Sequence, residues 1–209
     1  MSLEIIINII RWLGGLLAYT TLGILLYGIW RGTRRQAGRT TGSTGTWLRS
    51  PWFYLASSAL FFAICYFGWI PVPWHASLAV RLWMLAFGSL LYFPGMVFVL
   101  CGRFALGKNY FVSTAFGAQL FADHQLVTRG LFAIVRHPMY SGLIIAALGS
   151  LLIYPTWTTL LFTCFAPLII VRARREETAL LMEFGMEWQI YCKRVPGFIP
   201  RLRRTINNS

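Results

Sequence analysis

The sequence predicts an all-α integral membrane protein, a single domain over residues 1–209 with about five transmembrane helices. Its composition is one reason: 57% of the residues are hydrophobic and only 12% are charged, whereas soluble proteins carry roughly 25% charged residues. Apolar stretches of about 20 residues, long enough to cross a hydrocarbon core of roughly 30 Å, also recur along the chain. The net charge of +13 comes from basic residues that lie between these stretches. That arrangement is typical of cytoplasmic loops of membrane proteins, and it argues against nucleic-acid binding.

The first three apolar stretches predict spans over residues 5–30, 52–70 and 81–101. Residues 31–50 are rich in Gly, Thr and Arg without apolar periodicity, so we expect a flexible loop there. Pro94 lies inside the third span. Because proline leaves a backbone carbonyl without its donor, we expect a kink at Pro94 that faces protein rather than lipid.

Residues 140–171 are apolar again and allow two interpretations. A single kinked helix would place the polar segments before and after it on opposite membrane faces. A hairpin that turns near Pro155 would bring those segments together, with spans over residues 138–154 and 156–173. The hairpin places 17 of the 19 basic residues on one side of the membrane, so the charge distribution favours it. The resulting prediction is an N-terminus outside and a C-terminus in the cytoplasm.

Two polar clusters flank this stretch: residues 123–140 and residues 172–187, the second with four of the chain's six carboxylates. His137-Pro138 predicts a helix start, where backbone N–H groups can bind a carboxylate or another polar ligand. Arg172 and Glu176 are four residues apart, so they project from one helical face. An ion pair that only stabilises the helix end is the alternative, although ionisable groups at membrane depth indicate a functional site. We predict one active site facing the cytoplasm, without a metal because the Cys and His residues lack ligand spacing.

Four ordered motifs carry a family resemblance. They are H-x-L-V-T-x-G from His124 to Gly130, R-H-P-x-Y-x-G from Arg136 to Gly142, E-E-x-x-L-x-x-x-F-G-x-E-W-x-x-Y from Glu176 to Tyr191, and K-R-V-P from Lys193 to Pro196. In this order they resemble the isoprenylcysteine carboxyl methyltransferase family. The related phospholipid methyltransferases share the Arg-His-Pro and paired-Glu elements. The resemblance covers residues 102–200, the predicted catalytic half, and leaves the first two spans without a recognisable motif.

The resemblance implies an integral membrane methyltransferase that uses S-adenosylmethionine as cosubstrate. It implies that Arg172 faces the methyl acceptor and that Glu176 holds the amino-acid end of the cosubstrate, which makes these two the candidate catalytic residues. The implied cosubstrate-binding residues are His124, Gln125, Leu126, Val127, Phe132, His137, Pro138, Met139, Tyr140, Glu176 and Glu177.

Two positions depart from the family pattern. Phe132 stands where the family has a tyrosine, and the family's loop glutamine has no clear counterpart, Gln119 being the nearest. The implied acceptor is a lipophilic small molecule or lipidated substrate, most simply a carboxylate of the isoprenylcysteine type, while an amine or a thiol stays open. The short chain resembles prokaryotic relatives, which implies the inner (cytoplasmic) membrane of a prokaryote.

Two other functions stay open from the sequence. Membrane sterol or steroid reductases, which use NADPH, also contain an R-H-P-x-Y-x-G segment, but they continue with an acidic residue where this chain has Leu143. The Glu176-Glu177 pair followed by Phe184-Gly185 favours the methyltransferase. The remaining alternative is a non-catalytic membrane protein built on the same scaffold.

Overall fold

A computed structural model of the chain describes residues 3–34, 37–41, 51–110, 113–114, 117–121 and 123–201. It is mostly helical, as predicted. The helices in the described part are α1 (Leu3–Thr33), α2 (Pro51–Phe67), α3 (Leu78–Leu106), α4 (Pro138–Ile153), α5 (Trp157–Phe165), α6 (Ile169–Phe184) and α7 (Met186–Arg194).

Three helical stretches in these residues are long and apolar enough to cross a membrane: Leu3–Gly32, Leu78–Asn109 and Trp157–Phe184. Two further apolar helices, Leu55–Phe67 and Pro138–Ile153, are shorter. At 1.5 Å per residue, the 16 residues of α4 extend about 24 Å, less than the hydrocarbon core. The chain is therefore an integral membrane protein, while five complete crossings and their orientation stay predictions.

The segment predicted as the fifth span is divided at a proline. Helix α5 ends at Phe165, residues 166–168 form a short turn that contains Pro167, and α6 then begins at Ile169. Proline has no N–H to donate to the preceding turn, which accounts for the local change in the helix, while Ala166 keeps helical backbone angles of φ −53° and ψ −37°. The helical path then extends to Phe184, beyond the predicted end at residue 173, and α6 carries Arg172 and Glu176.

A small antiparallel sheet corrects the prediction that the chain is entirely α-helical. Its strands are β1 (Ala37–Thr41), β2 (Ser113–Thr114) and β3 (Gly117–Phe121), in the order β1-β3-β2. Thr40 pairs with Gln119, and the sheet packs against α6. Residues 31–33 of the predicted flexible loop thus belong to α1, and residues 37–41 form β1. Residues 35–36 and 42–50 lie outside the described residues, as does the Gln119 side chain.

Helices α3 and α4 form the closest helix pair, and glycines allow their approach. A Cβ added at Gly95 would lie 2.8 Å from the Gly142 carbonyl oxygen, and one at Gly88 would lie 3.0 Å from that of Gly149. Small residues bring membrane helices close enough for backbone contact. Helix α3 continues through Pro94, which is exposed, so the expectation that this proline faces protein was wrong.

Two turns meet at the end of the molecule opposite the polar clusters. The N–H of Val72 donates to the Pro155 carbonyl over 2.9 Å, and the N–H of Trp157 donates to that of Ile70 over 3.1 Å. Between α4 and α5, the Thr163 hydroxyl donates to the Ala147 carbonyl over 2.9 Å. These bonds hold α4 and α5 side by side around the turn near Pro155.

Candidate active site

The two polar clusters, far apart in the sequence, meet around one cavity of about 430 Å³. The first cluster contributes residues 124–127 and 136–140 to its lining, and the second contributes Arg172 and Glu176. Of the eleven predicted cosubstrate residues, ten line the cavity and Glu177 does not. A volume of this size lies within the range of small-molecule sites.

Glu177 joins the clusters from outside the cavity. Its Oε1 accepts from Arg136 Nη2 over 2.8 Å and Nε over 3.0 Å, and it lies 2.9 Å from His137 Nε2. The same arginine donates through Nη1 to the carbonyls of Val195, at 2.9 Å, and Cys192, at 3.2 Å. This network fixes the start of α4 against α6 and the segment after α7.

Glu176 presents a carboxylate at the cavity surface. Its Oε1 accepts from the Tyr140 hydroxyl and lies 3.5 Å from Arg172 Nε, so the predicted same-face pair forms. The Arg172 guanidinium carbon is 5.4 Å from the centroid of the Tyr140 ring. A carboxylate held by a phenol and an arginine is fixed in direction, and it can bind a cationic ligand group.

The residues around this carboxylate make the remaining surface largely apolar and aromatic. The backbone N–H of Gln125 donates to Asn109 Oδ1 over 3.2 Å, and this bond holds the 124–127 segment at the cavity. The Tyr191 hydroxyl donates to the Phe132 carbonyl over 2.6 Å. Burial raises the pKa of Tyr191 to about 12, so at neutral pH the phenol is a donor. At this same cavity α4 begins with Pro138, which has no N–H, and the N–H of Ser141 donates to the His137 carbonyl over 3.0 Å, so Met139 offers the first backbone N–H of the helix.

Sequence reasoning missed the part of the cavity built by the first two helices and by the end of α3. Those residues are Leu22, Leu25, Leu26, Ile29, Phe53, Ser57, Leu106 and Tyr110. The α1 members share one helical face because they occupy positions i, i+3, i+4 and i+7. Since α1 is apolar on nearly every side, no pattern in the sequence distinguishes that face. The cavity thus has a polar part between the clusters and an apolar part against the membrane helices.

The side chains that line the cavity suit two ligands rather than one. The Glu176 carboxylate, aromatic side chains such as Trp188 and the Met139 N–H at the start of α4 fit a ligand with an amino acid end and a planar ring. Leucines from α1 fit an alkyl chain. Within the described residues, no group of three or more His, Cys, Asp or Glu side chains is arranged to hold a metal ion.

Comparison with known proteins finds a match to the family described as Phospholipid methyltransferase over residues 83–187. A protein-S-isoprenylcysteine O-methyltransferase of Schizosaccharomyces pombe is 41% identical over 80 residues, 37% of this chain and 34% of that protein. Methanethiol S-methyltransferase 2 of Bradyrhizobium diazoefficiens is 30% identical over 165 residues, with a coverage of 73% of this chain and 61% of that protein. A Delta(14)-sterol reductase of Mus musculus is 40% identical over 78 residues, which are 34% of this chain and 18% of that protein. The chain covers less than two thirds of each relative's length.

Proposed function

The chain belongs to the phospholipid methyltransferase family, and from this premise we propose that it transfers the methyl group of S-adenosylmethionine to a lipophilic carboxylate at the membrane surface. The family match and the isoprenylcysteine methyltransferase relative confirm the resemblance drawn from the sequence motifs. The observation that carries the proposal is the cavity itself, in which Arg172 and Glu176 share a surface with leucines of α1. A polar cosubstrate and an apolar acceptor could therefore meet there.

The cosubstrate would occupy the part of the cavity between the two polar clusters. Glu176, fixed by Tyr140 and Arg172, would bind its amino group, and the Met139 N–H in the first turn of α4 would donate to its carboxylate. Residues 124–127 and Phe132 would line the ring system. When bound, S-adenosylmethionine supplies an electrophilic methyl group.

Arg172 would hold the acceptor. A carboxylate is already ionised at neutral pH, so methyl transfer to it requires alignment and desolvation rather than a strong base. A guanidinium can bind both carboxylate oxygens with two parallel N–H groups. The apolar residues from α1 and α2 exclude water around the acceptor and receive its alkyl chain, which would enter from the lipid phase.

Calorimetry of the purified protein in detergent tests the proposal. We expect S-adenosylhomocysteine to bind and NADPH not to bind, and Arg172→Ala to lose turnover of a lipophilic carboxylate supplied with isotopically labelled methyl donor. Binding of NADPH alone would support a reductase, and binding of neither would support a non-catalytic protein. Full turnover by Arg172→Ala would refute the role given to this arginine.

A thiol acceptor is the second candidate, because the match to the methanethiol S-methyltransferase extends over 73% of this chain. A thiol has a pKa near 8.5 and must lose its proton before attack, so a base would be needed. Comparing decanethiol with a decyl-chain carboxylate as acceptors, across pH 6 to 9, separates the two. We expect the carboxylate to be methylated with little pH dependence; a rate that rises with pH for the thiol alone would favour the second candidate.

A further inference from the structure

Tyr110 is a polar residue in the cavity lining that the proposed reaction has not used. It follows the short helical turn Gly107–Asn109 that comes after α3, and its ring packs with the buried cluster that contains Val99, Met139 and Tyr140. Its hydroxyl makes no hydrogen bond to any part of the chain that the structure describes. Tyr110 is half-buried and borders the cavity, so a ligand in the cavity can reach its hydroxyl.

Arg103 determines the position of the Tyr110 ring. Its guanidinium carbon lies 4.4 Å from the ring centroid, and its Nη1 donates to the Gly107 carbonyl over 3.3 Å. The other side of the guanidinium rests on Gly28 of α1, where an added Cβ would lie 3.0 Å from Cζ. Gly28 sits between the cavity-lining residues Leu25 and Ile29. One arginine thus holds both the phenol and the part of α1 that borders the cavity.

The charges around Tyr110 indicate which ligand group its hydroxyl would meet. Arg103 and Arg172 both interact electrostatically with the phenol, as does Glu176. Burial raises the pKa of Tyr110, so the hydroxyl keeps its proton at neutral pH and acts as a donor. A donor near the guanidinium of Arg172 suits an oxygen that carries negative charge more than a neutral group.

We propose that Tyr110, positioned by Arg103, donates a hydrogen bond to a carboxylate oxygen of the methyl acceptor and so selects acceptors with an anionic oxygen head group beside an alkyl chain. This inference rests on the proposed methyltransferase function and names the acceptor class of that same site. Tyr110 would share the head group with Arg172, while the alkyl chain would lie along Leu25, Leu26 and Ile29.

The test measures binding by the full chain in detergent micelles, with N-acetyl-S-decylcysteine as the carboxylate probe and its C-terminal amide as the neutral probe. Tyr110→Phe removes only the hydroxyl. We expect it to weaken binding of the carboxylate about 10- to 100-fold, the usual effect of losing a hydrogen bond to a charged group, and to change amide binding much less. Tyr19→Phe, at an exposed tyrosine of α1, is the matched control.

Several outcomes would overturn this inference. In the first, Tyr110→Phe binds the carboxylate probe as tightly as the unchanged protein does. In the second, Tyr110→Phe loses the same affinity for the carboxylate and the amide probes. In the third, the unchanged protein does not bind the carboxylate probe. A parallel loss of S-adenosylhomocysteine affinity would place Tyr110 in the cosubstrate part of the cavity instead. The proposed function fails separately, if the unchanged protein binds no S-adenosylhomocysteine and transfers no methyl group.

Arg103 is tested as a positioning residue by a double-mutant cycle. We expect Arg103→Met to weaken carboxylate binding, Arg103→Lys to restore part of it, and Arg103→Met to add little once Tyr110 is already Phe, because the arginine acts through the phenol. Fully additive losses would show that Arg103 acts independently of Tyr110. A purely structural role would lower the unfolding temperature without this dependence on the hydroxyl.

Discussion

Arg136 is the side chain on which the geometry of the candidate site depends. It donates to a carboxylate of α6 and to two carbonyls near the end of α7, and its own backbone N–H donates to the Pro196 carbonyl over 2.9 Å. Its side chain is 16% exposed and that of its partner Glu177 is 27% exposed, so these bonds are largely shielded from water. A planar guanidinium can serve these acceptors together, whereas an ammonium cannot.

Replacing this arginine by lysine tests how much the network stabilises the fold. We expect Arg136→Lys to lower the free energy of unfolding by roughly 2 kcal/mol, because the positive charge remains but at least one acceptor loses its donor. Denaturant titration in detergent micelles measures the difference, with Arg174→Lys at an exposed position of α6 as the control. Equal midpoints for the two variants would show that the network contributes little stability.

Glu176 and Glu177 are adjacent in the sequence, yet they have different surroundings. Successive residues of a helix point about 100° apart, so the face shared by Arg172 and Glu176 cannot also include Glu177. Glu176 borders the cavity, while Glu177 joins Arg136 and His137 outside it.

The corresponding Gln substitutions should therefore affect different properties, ligand binding in one variant and stability in the other. We expect Glu176→Gln to weaken S-adenosylhomocysteine binding about tenfold or more, because a charged partner of the amino group is lost. Glu177→Gln should instead lower the free energy of unfolding by about 1 to 3 kcal/mol with a smaller effect on binding. Calorimetry and denaturant titration on both variants give the comparison. The assignment is wrong if the two variants lose affinity equally.

Among the individual residues, the motifs predicted much of the cavity, because their charged and polar side chains at fixed spacing stand out between apolar stretches. The ten predicted residues that line it all lie in the motif-bearing half of the chain. Tyr110 and Leu25 could not be predicted in the same way. Leu25 is one of many leucines within α1, and Tyr110 is a single aromatic residue after the turn that follows α3, so only the packing of the helices brings them to the cavity.

Among the elements, the pair α3 and α4 fixes where the R-H-P motif sits. Gly95 of α3 faces Gly142 of α4, and Gly88 faces Gly149. Within each helix the two glycines are seven residues apart, which is about two helical turns. In a bilayer, close packing rather than the hydrophobic effect would hold the two helices together.

A single methyl group should disturb this interface. In Gly95→Ala the new Cβ would lie 2.8 Å from the backbone of Ala146, so the helices must separate. We expect a loss of roughly 1 to 3 kcal/mol in the free energy of unfolding. Gly23→Ala, where a Cβ meets nothing within 4 Å, should cause no loss. Denaturant titration of both variants decides this, and equal stability would mean that α3 and α4 adjust without strain.

The sequence predicted elements with strong apolar patterns and missed those that depend on distant pairing. Strand β1 pairs with β3 although α2 and α3 lie between them in the sequence, and neither strand shows an alternating apolar pattern that would predict it. The break at Pro167 was visible in the sequence, but the surrounding apolar residues favoured an unbroken span. Hydrophobicity identifies a span better than it identifies where the helix inside it stops.

For the molecule as a whole, the arrangement of the turns bears on the predicted orientation. The turns near Pro71 and Pro155 are hydrogen-bonded at one end, and the two polar clusters meet at the other. Segments 31–50 and 102–136 and the chain from Arg172 onward carry five, four and eight basic residues. Positively charged residues are retained in the cytoplasm, so the cavity should open on that side.

Cysteine labelling in intact cells tests this orientation. In a background with the four native cysteines changed to Ala, His75→Cys adds a thiol at the exposed turn region near Pro71, and Arg129→Cys adds one at an exposed position beside the cavity. We expect a membrane-impermeant maleimide to label the His75→Cys variant in intact cells and the Arg129→Cys variant only after permeabilisation, because 17 of 19 basic residues lie on the predicted inner side. The reverse pattern would put the cavity outside. Labelling of both variants in intact cells would place the two turns and the clusters on one face, and would exclude the hairpin crossing of α4 and α5.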